Sequence, residues 1–208
     1  MSELHCDPGF RQLLAQHFSI ALLEQHPGTV YGLWPDFALA YMNPAWFRFA
    51  RDNQGEPVIS TDWTRGRHIT DALPEVLHPF YVELYLRGLE NSSDQPLLHD
   101  YECSSAQEYR CFNMSLHNLG FGAGLLVINR DQQVGRHWRT PHPAQSELYR
   151  DSAGHYCQCT HCRCYRNRQQ NRSNHWDWIP DWISHPPSPI DYGLCPGCFA
   201  YYYNPDNR

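Results

Sequence analysis

The chain has 208 residues, of which 41% are hydrophobic and 18% charged, with 7 Trp, 13 Tyr and 9 Phe. So many aromatic residues favour a packed core and exclude an intrinsically disordered chain. All 16 basic residues are Arg, which excludes Schiff-base lysine chemistry and a Walker-type phosphate lysine, and the net charge of −6 disfavours nucleic-acid binding, which needs clustered cations.

The N-terminal segment predicts an amphipathic helix. Asp7 is a suitable N-cap and Pro8 suits the first helical position. Apolar residues follow at helical spacing and include Leu14, Phe18 and Leu22. Two alternatives stay open for this stripe: packing on the core of its own chain, or a homodimer contact through these three residues.

The next segments predict a β-hairpin and then short helices. Short apolar runs at 29–33 and 38–42 flank a Pro-Asp turn, a pattern typical of a hairpin. Asn43 and Pro44 repeat the cap-plus-proline signal before a short helix at 45–51, and Pro79 opens another helix.

Three further strands are predicted at 97–103, 110–116 and 124–129. In the second of them apolar and polar residues alternate, which gives one buried and one wetter face. We expect an inward-facing set, namely Phe112, Met114, Leu116, Leu126 and Ile128. Strands on both sides of a helical block predict an α+β domain with an antiparallel sheet.

This element order resembles a PAS domain, a small sensor module. The local phrases are similar to PAS sequences: YMNPAWFRFARDN at 41–53, YECSS at 101–105, YRCFNMSL at 109–116 and GLLVIN at 124–129. The resemblance covers residues 20–131. It implies a five-stranded antiparallel sheet with flanking helices around a mostly apolar pocket for a small-molecule ligand.

His78 offers an alternative cofactor. The segment HPFYVELY at 78–85 is similar to the part of haem-binding PAS oxygen sensors in which a helical His ligates the iron. However, the residue before a proline is biased away from helical geometry, so His78 is expected before the helix as a surface or capping residue. Haem binding is therefore the less favoured interpretation.

The cysteine pattern near the C-terminus predicts a metal site. Two C-x2-C pairs, Cys159 with Cys162 and Cys195 with Cys198, supply four thiolates, and Zn²⁺ prefers four tetrahedral ligands of this kind. Disulfides and an iron–sulfur cluster are the chemical alternatives. The segment between the pairs is expected to contain a helix that Asp177 caps, with Pro180 in its first turn.

The same region resembles a short cysteine-rich module found at the C-terminus of bacterial PAS and GAF signalling proteins. The matching phrases are CTHCRCYR at 159–166, WDWIPDWI at 176–183 and DYGLCPGC at 191–198. Cys157 and Cys164 are extra to that pattern. They are either spare thiols or redox-active ones whose pKa Arg163 and Arg166 would lower.

A local basic run beside the first cysteine pair consists of Arg163, Arg166, Arg168 and Arg172. It would contact phosphates or an acidic partner, or lie in a solvated loop. The enzyme motifs H-E-x-x-H and G-x-S-x-G do not occur, so no enzymatic activity is expected.

The patterns together predict the domain organisation. We expect an N-terminal helix at 1–27, a PAS-like domain at 28–134, a linker at 135–154 and a zinc-stabilised module at 155–208. No run of about 18 apolar residues indicates a membrane span, and no signal peptide is evident. Nine cysteines in a cytosolic protein favour metal or redox roles over disulfides.

These features imply a non-enzymatic cytoplasmic sensory or regulatory protein of bacterial type. It would respond to a small ligand or a redox event, contain structural zinc and signal through a protein partner. The rivals are a haem-binding PAS sensor, a nucleic-acid-binding zinc protein and a redox enzyme that uses the extra cysteines.

Overall fold

A computed structural model describes residues 5–53, 55–169 and 174–204. Within them the chain divides into two compact units. The first comprises residues up to 73 together with 81–100 and 113–131, and the second comprises 74–80, 101–112 and 132 onward.

The first unit contains most of the helices that flank the large sheet. They are α1 (Pro8–His17), α2 (Ile20–Gln25), α3 (Pro44–Asp52), α4 (Val58–Asp62) and α5 (His78–Glu90), with a 3-10 turn at Ile69–Ala72. Helix α5 belongs to the first unit from Tyr81 onward. The predicted helix starts are confirmed: the Asp7 side chain accepts hydrogen bonds from the backbone of α1, and Asn43 does the same for α3.

The single N-terminal helix expected from the apolar stripe is interrupted. Phe18 is extended and ends α1, and α2 begins again at Ile20. The break separates the three residues proposed for a dimer contact. Leu14 is fully buried within the chain, Phe18 is half-buried and Leu22 is 68% exposed. Leu14 therefore packs on its own core, and its place in a dimer contact was wrong.

The five-stranded antiparallel sheet predicted for the PAS-like region is confirmed. Its strands are β1 (Val30–Leu33), β2 (Leu39–Met42), β3 (Leu97–Glu102), β4 (Glu108–Asn118) and β5 (Leu125–Arg136), in the order β2-β1-β5-β4-β3. In the register of β1 on β5, Val30 lies opposite Ile128 and Leu33 opposite Leu125. Strands β3, β4 and β5 continue from the first unit into the second.

Side-chain volume fixes how α1 packs on this sheet. Phe10 is fully buried, and a Cβ at Gly32 on β1 would lie 2.1 Å from its ring. Glycine is therefore required where the ring meets the strand. The inward-facing residues predicted on β4 and β5, such as Met114 and Leu126, are buried as expected. Leu125 and Val127 are buried as well, so this part of β5 is covered on both faces.

The second unit contains a smaller sheet in the order β8-β7-β6-β9. Its strands are β6 (Tyr156–Cys159), β7 (Tyr165–Arg166), β8 (Trp176–Asp177) and β9 (Ile190–Gly193), and its helices are α6 (Pro180–Ser184) and α7 (Pro196–Tyr203). Strand β6 pairs antiparallel with β7 and parallel with β9. Buried aromatic residues, among them Tyr149, Tyr165 and Trp182, form the core beside this sheet.

Two expectations for this region change. Asp177 does not cap a helix but lies in β8, and the helix begins three residues later at Pro180. Its carboxylate instead accepts hydrogen bonds from Tyr149 and Asn167, each at 2.9 Å. The segment expected as a linker, 135–154, ends β5 and contributes the buried Tyr149 to this core, so it is part of the folded second unit.

No helix in the described part of the chain combines the length and the hydropathy of a membrane-spanning segment.

Candidate metal centre

The first cysteine pair lies in the turn between β6 and β7. Cys159 ends β6, and its backbone N–H donates to the carbonyl of Cys164 at 2.8 Å. The N–H of Arg163 donates to the carbonyl of Cys159 at 2.9 Å, and Arg163 has a φ of 61° in the left-handed region. This tight turn brings Cys162 back beside Cys159.

The second pair lies where β9 leads into α7. The parallel pairing of β9 with β6 places Gly193 opposite Cys159, and the Thr160 N–H donates to the Gly193 carbonyl at 2.9 Å. Cys195 is the N-cap residue of α7, and Cys198 lies in the first turn of that helix. Both sulfurs are thus at the helix N-terminus, where the helix dipole stabilises negative charge.

The four thiols meet at one point. The sulfur atoms of Cys159, Cys162, Cys195 and Cys198 all lie within 4.8 Å of one another, and Cys162 Sγ and Cys195 Sγ are 3.8 Å apart. A disulfide requires sulfur atoms about 2.05 Å apart, and these cysteines are free. Tetrahedral zinc with Zn–S bonds of about 2.3 Å places its sulfur ligands about 3.8 Å apart. The donor set and its spacing therefore fit Zn²⁺.

Hydrogen bonds among the thiols separate their pKa values. The bond with Cys162 is the largest cause that lowers the pKa of Cys159, and the bond with Cys159 lowers the pKa of Cys195 to about 7. The bond with Cys159 raises the pKa of Cys198. Such a cluster holds some protons in shared S–H···S contacts, and a metal ion would replace those protons.

A histidine inside the first turn fixes that turn to α7. His161 Nδ1 lies 2.8 Å from the hydroxyl oxygen of the buried Tyr202, and the two rings are in edge contact. Burial is the largest cause that lowers the pKa of His161, so its neutral form is favoured. The bond joins the element that carries Cys162 to the helix that carries Cys198.

An ion pair lies beside the cysteines. Both terminal nitrogens of Arg139 donate to the Glu102 carboxylate, at 2.7 and 2.6 Å, and the two side chains are 10% and 5% exposed. Burial by itself would lower the pKa of Arg139, but the hydrogen bonds and the charge of Glu102 raise it overall. The nearby thiols of Cys164 and Cys162 also raise the pKa of Arg139. The guanidinium therefore stays protonated beside the cysteines, paired with the Glu102 carboxylate.

The two extra cysteines lie outside the four-thiol group. The hydrogen bond to Cys162 raises the pKa of Cys164, and burial raises the pKa of Cys157. The raised pKa values do not support the redox-active alternative, which needs the neighbouring arginines to lower the pKa of these thiols. For Cys157, desolvation outweighs the nearby guanidinium charges, and Arg163 directs a nitrogen to the carbonyl of Ser104 at 2.9 Å.

The other predicted site residues do not join this centre. His78 adopts helical geometry and begins α5, although Pro79 follows it, and its side chain is exposed. An exposed imidazole in the first turn gives no support for an enclosed axial haem ligand. In the basic run, Arg168 pairs with Asp151 at 3.9 Å, and Arg172 lies outside the described residues.

Sequence reasoning missed three residues near the centre, namely Glu102, Arg139 and Tyr202. Glu102 and Arg139 are separated by 37 positions, and His161 and Tyr202 by 41. Neither pair has a local motif. The one available signal was the position of His161 between two cysteines, which places it near any metal they bind.

No family model matches the chain, and no curated protein matches it. Among solved structures, the PAS domain of BvgS from Bordetella pertussis matches with a TM-score of 0.42 and 15% identity over 59% of this chain and 88% of that one. The photoactive yellow protein domain of the sensor histidine kinase Ppr from Rhodospirillum centenum gives a TM-score of 0.40 and 13% identity over 56% and 96%. The PAS domain of an HTR-like protein from Haloarcula marismortui gives 0.32 and 17% over 59% and 90%.

Proposed function

We propose that this protein is a non-enzymatic sensory or regulatory protein whose C-terminal unit is held together by one structural zinc ion. The convergence of four cysteine sulfurs within 4.8 Å carries the proposal. A site with four thiolate ligands has no open position for water or substrate, so its zinc would stabilise the fold and would not catalyse hydrolysis.

The sensory part of the proposal is supported by the PAS-like phrases at 20–131 and by the five-stranded antiparallel sheet built from that region. A small ligand or a redox event would favour one of two states of this domain, and a protein partner would respond to the change. We place the protein in the cytoplasm, because nine free cysteines suit a reducing compartment. The ligand, the partner and the homodimer stay predictions.

The metal is tested by elemental analysis of the full chain purified without chelator. We expect about one zinc ion per chain, since one tetrahedral site needs four thiolates. Cys195→Ser should lose the metal and expose the backbone amides of 156–169 and 174–203 to rapid hydrogen exchange, because binding free energy at such sites is also folding free energy. A wild-type protein that contains no zinc would refute the proposal.

Cys157→Ser is the matched control, because Cys157 lies on the same strand as Cys159 but outside the four-thiol group. It should keep the zinc and the hydrogen-exchange protection of the module. Zinc loss in this variant would contradict the ligand assignment.

Native mass spectrometry and an absorption spectrum of the same sample test the rivals. A visible absorption band from haem or from an iron–sulfur cluster would show that the protein contains a coloured cofactor instead of zinc. Tight, salt-dependent binding of DNA or RNA would favour the nucleic-acid alternative, and thiol-dependent turnover would favour a redox enzyme.

A further inference from the structure

The second unit contains a cleft of about 590 Å³ that the proposed function does not use. This volume lies within the range of about 300–1,000 Å³ that is typical of small-molecule sites. The lining includes the cysteine-bearing turn, Tyr201 of α7, and the residues Trp138, His142 and Trp178. Asp177 and the Glu102–Arg139 pair supply charged groups to the lining.

The arginine in this lining is already matched. Both terminal nitrogens of Arg139 bond to the Glu102 carboxylate. Its guanidinium also lies over three rings, 4.8 Å from the centroid of Trp138, 5.8 Å from Tyr109 and 5.6 Å from Trp178. A guanidinium that is paired and stacked in this way offers little to an anionic ligand.

The carboxylate of Asp177 is only half used. Its Oδ2 accepts hydrogen bonds from the Tyr149 hydroxyl and the Asn167 amide, whereas among the described residues Oδ1 is paired only with His142 Nε2, at 3.6 Å. The Asp177 side chain is 6% exposed. A carboxylate oxygen accepts about two hydrogen bonds, so Oδ1 of Asp177, which lines the cleft, retains acceptor capacity.

We propose that the cleft binds a small organic cation, whose ammonium or guanidinium group donates to Asp177 Oδ1 while its apolar body lies against Trp138. Trp138 is 74% exposed, so its indole presents a large apolar surface at the cleft. Aromatic faces attract cations, and a charge-assisted hydrogen bond to a carboxylate is about twice as strong as a neutral one. The same group on a free amine or on a basic side chain of a peptide would satisfy this chemistry.

Three probes that share a benzyl group and differ in charge test the site by calorimetric titration of the full chain. Benzylamine should bind with one site per chain, while benzyl alcohol and phenylacetate should bind at least about tenfold more weakly, since each loses the charge-assisted hydrogen bond. Equal binding of the alcohol or the acid, or no saturable binding of any cation, would overturn the proposal. A capped arginine amide forms a fourth probe: if it alone saturates, the cation comes from a protein side chain.

Variants locate the site. Asp177→Asn should weaken benzylamine binding about tenfold, and Trp138→Ala should weaken it several-fold without touching the buried carboxylate. Tyr192→Ala is the control, because Tyr192 is 59% exposed in the same unit but does not line the cleft. Zinc content measured on every sample separates loss of the fold from loss of the site. Unchanged affinity in Trp138→Ala would refute the placement in this cleft.

Discussion

Replacing Asn43 by alanine should be among the most damaging single changes in the first unit. Asn43 is fully buried, and its Oδ1 accepts from the N–H groups of Val30 at 3.0 Å and Trp46 at 3.1 Å. Its Nδ2 donates to the carbonyls of Leu23 at 3.2 Å and Gly28 at 3.0 Å. One amide thus joins α2, the start of β1 and the first turn of α3.

The magnitude follows from the hydrogen bonds that are lost. Loss of an N-cap costs about 1 kcal/mol. The buried N–H of Val30 is left without a partner, which costs about 1–3 kcal/mol. The carbonyls of Leu23 and Gly28 keep contacts with His26, at 3.2 Å each, so each loses one hydrogen bond worth about 0.5–1.5 kcal/mol. Water that enters the space of the missing amide reduces these costs, so we take the low end of each. The variant should lose about 3–5 kcal/mol, a large part of the about 5–15 kcal/mol that stabilises a typical domain.

Urea denaturation of the intact chain, followed by circular dichroism, measures this loss. Asp7→Ala is the matched control, because Asp7 also caps a helix and accepts from Gly9 at 2.8 Å and Phe10 at 3.2 Å, but its contacts are more exposed. That variant should lose about 1 kcal/mol, the value of the cap alone. If the two variants lose the same free energy, the buried amide contributes no more than a cap and the reasoning is refuted.

Two further predictions concern the first unit, and the first of them uses a control variant in the second unit. Gly32→Ala should destabilise it by about 1–3 kcal/mol through overpacking against Phe10, whereas Gly135→Ala, where a Cβ meets no atom within 4 Å, should be nearly neutral in the same urea assay. Burial is the largest cause that lowers the pKa of His117 from its ordinary 6.5, with the Arg130 charge adding to it. Because the unfolded chain then binds the proton more readily, stability should fall as the pH drops below about 6.5, and His117→Gln should flatten that part of a pH series; an unchanged slope would contradict the assignment.

Local patterns in the sequence predicted the elements that depend on near neighbours. Asp7 and Asn43 were identified as caps because a capping side chain bonds to N–H groups two or three residues away. The spacing within each cysteine pair predicted a turn, and two such turns predicted a single four-thiol centre, which the structure confirms as a cluster. Alternation along 110–116 predicted the buried face of β4.

Contacts between residues distant in the sequence decided the features that local patterns did not predict. The sequence placed Asp177 at a helix start, but pairing with β7 and hydrogen bonds from Tyr149 and Asn167 hold it in a strand. Arginines near Cys157 suggested a lowered pKa, but the raised value depends on burial, which nearby residue types do not reveal.

The sequence by itself determined the α+β class, the helix caps and the four cysteines of the candidate metal centre, because each depends on short-range geometry or on chemistry that one residue type supplies. The tertiary structure alone decided that Leu14 is buried while Leu22 is exposed, and that Glu102 meets Arg139 beside the cysteines. Periodicity gives the face of a helix but not where the helix breaks. An ion pair between positions 37 apart depends on how intervening strands pair, which the pattern of either segment does not contain.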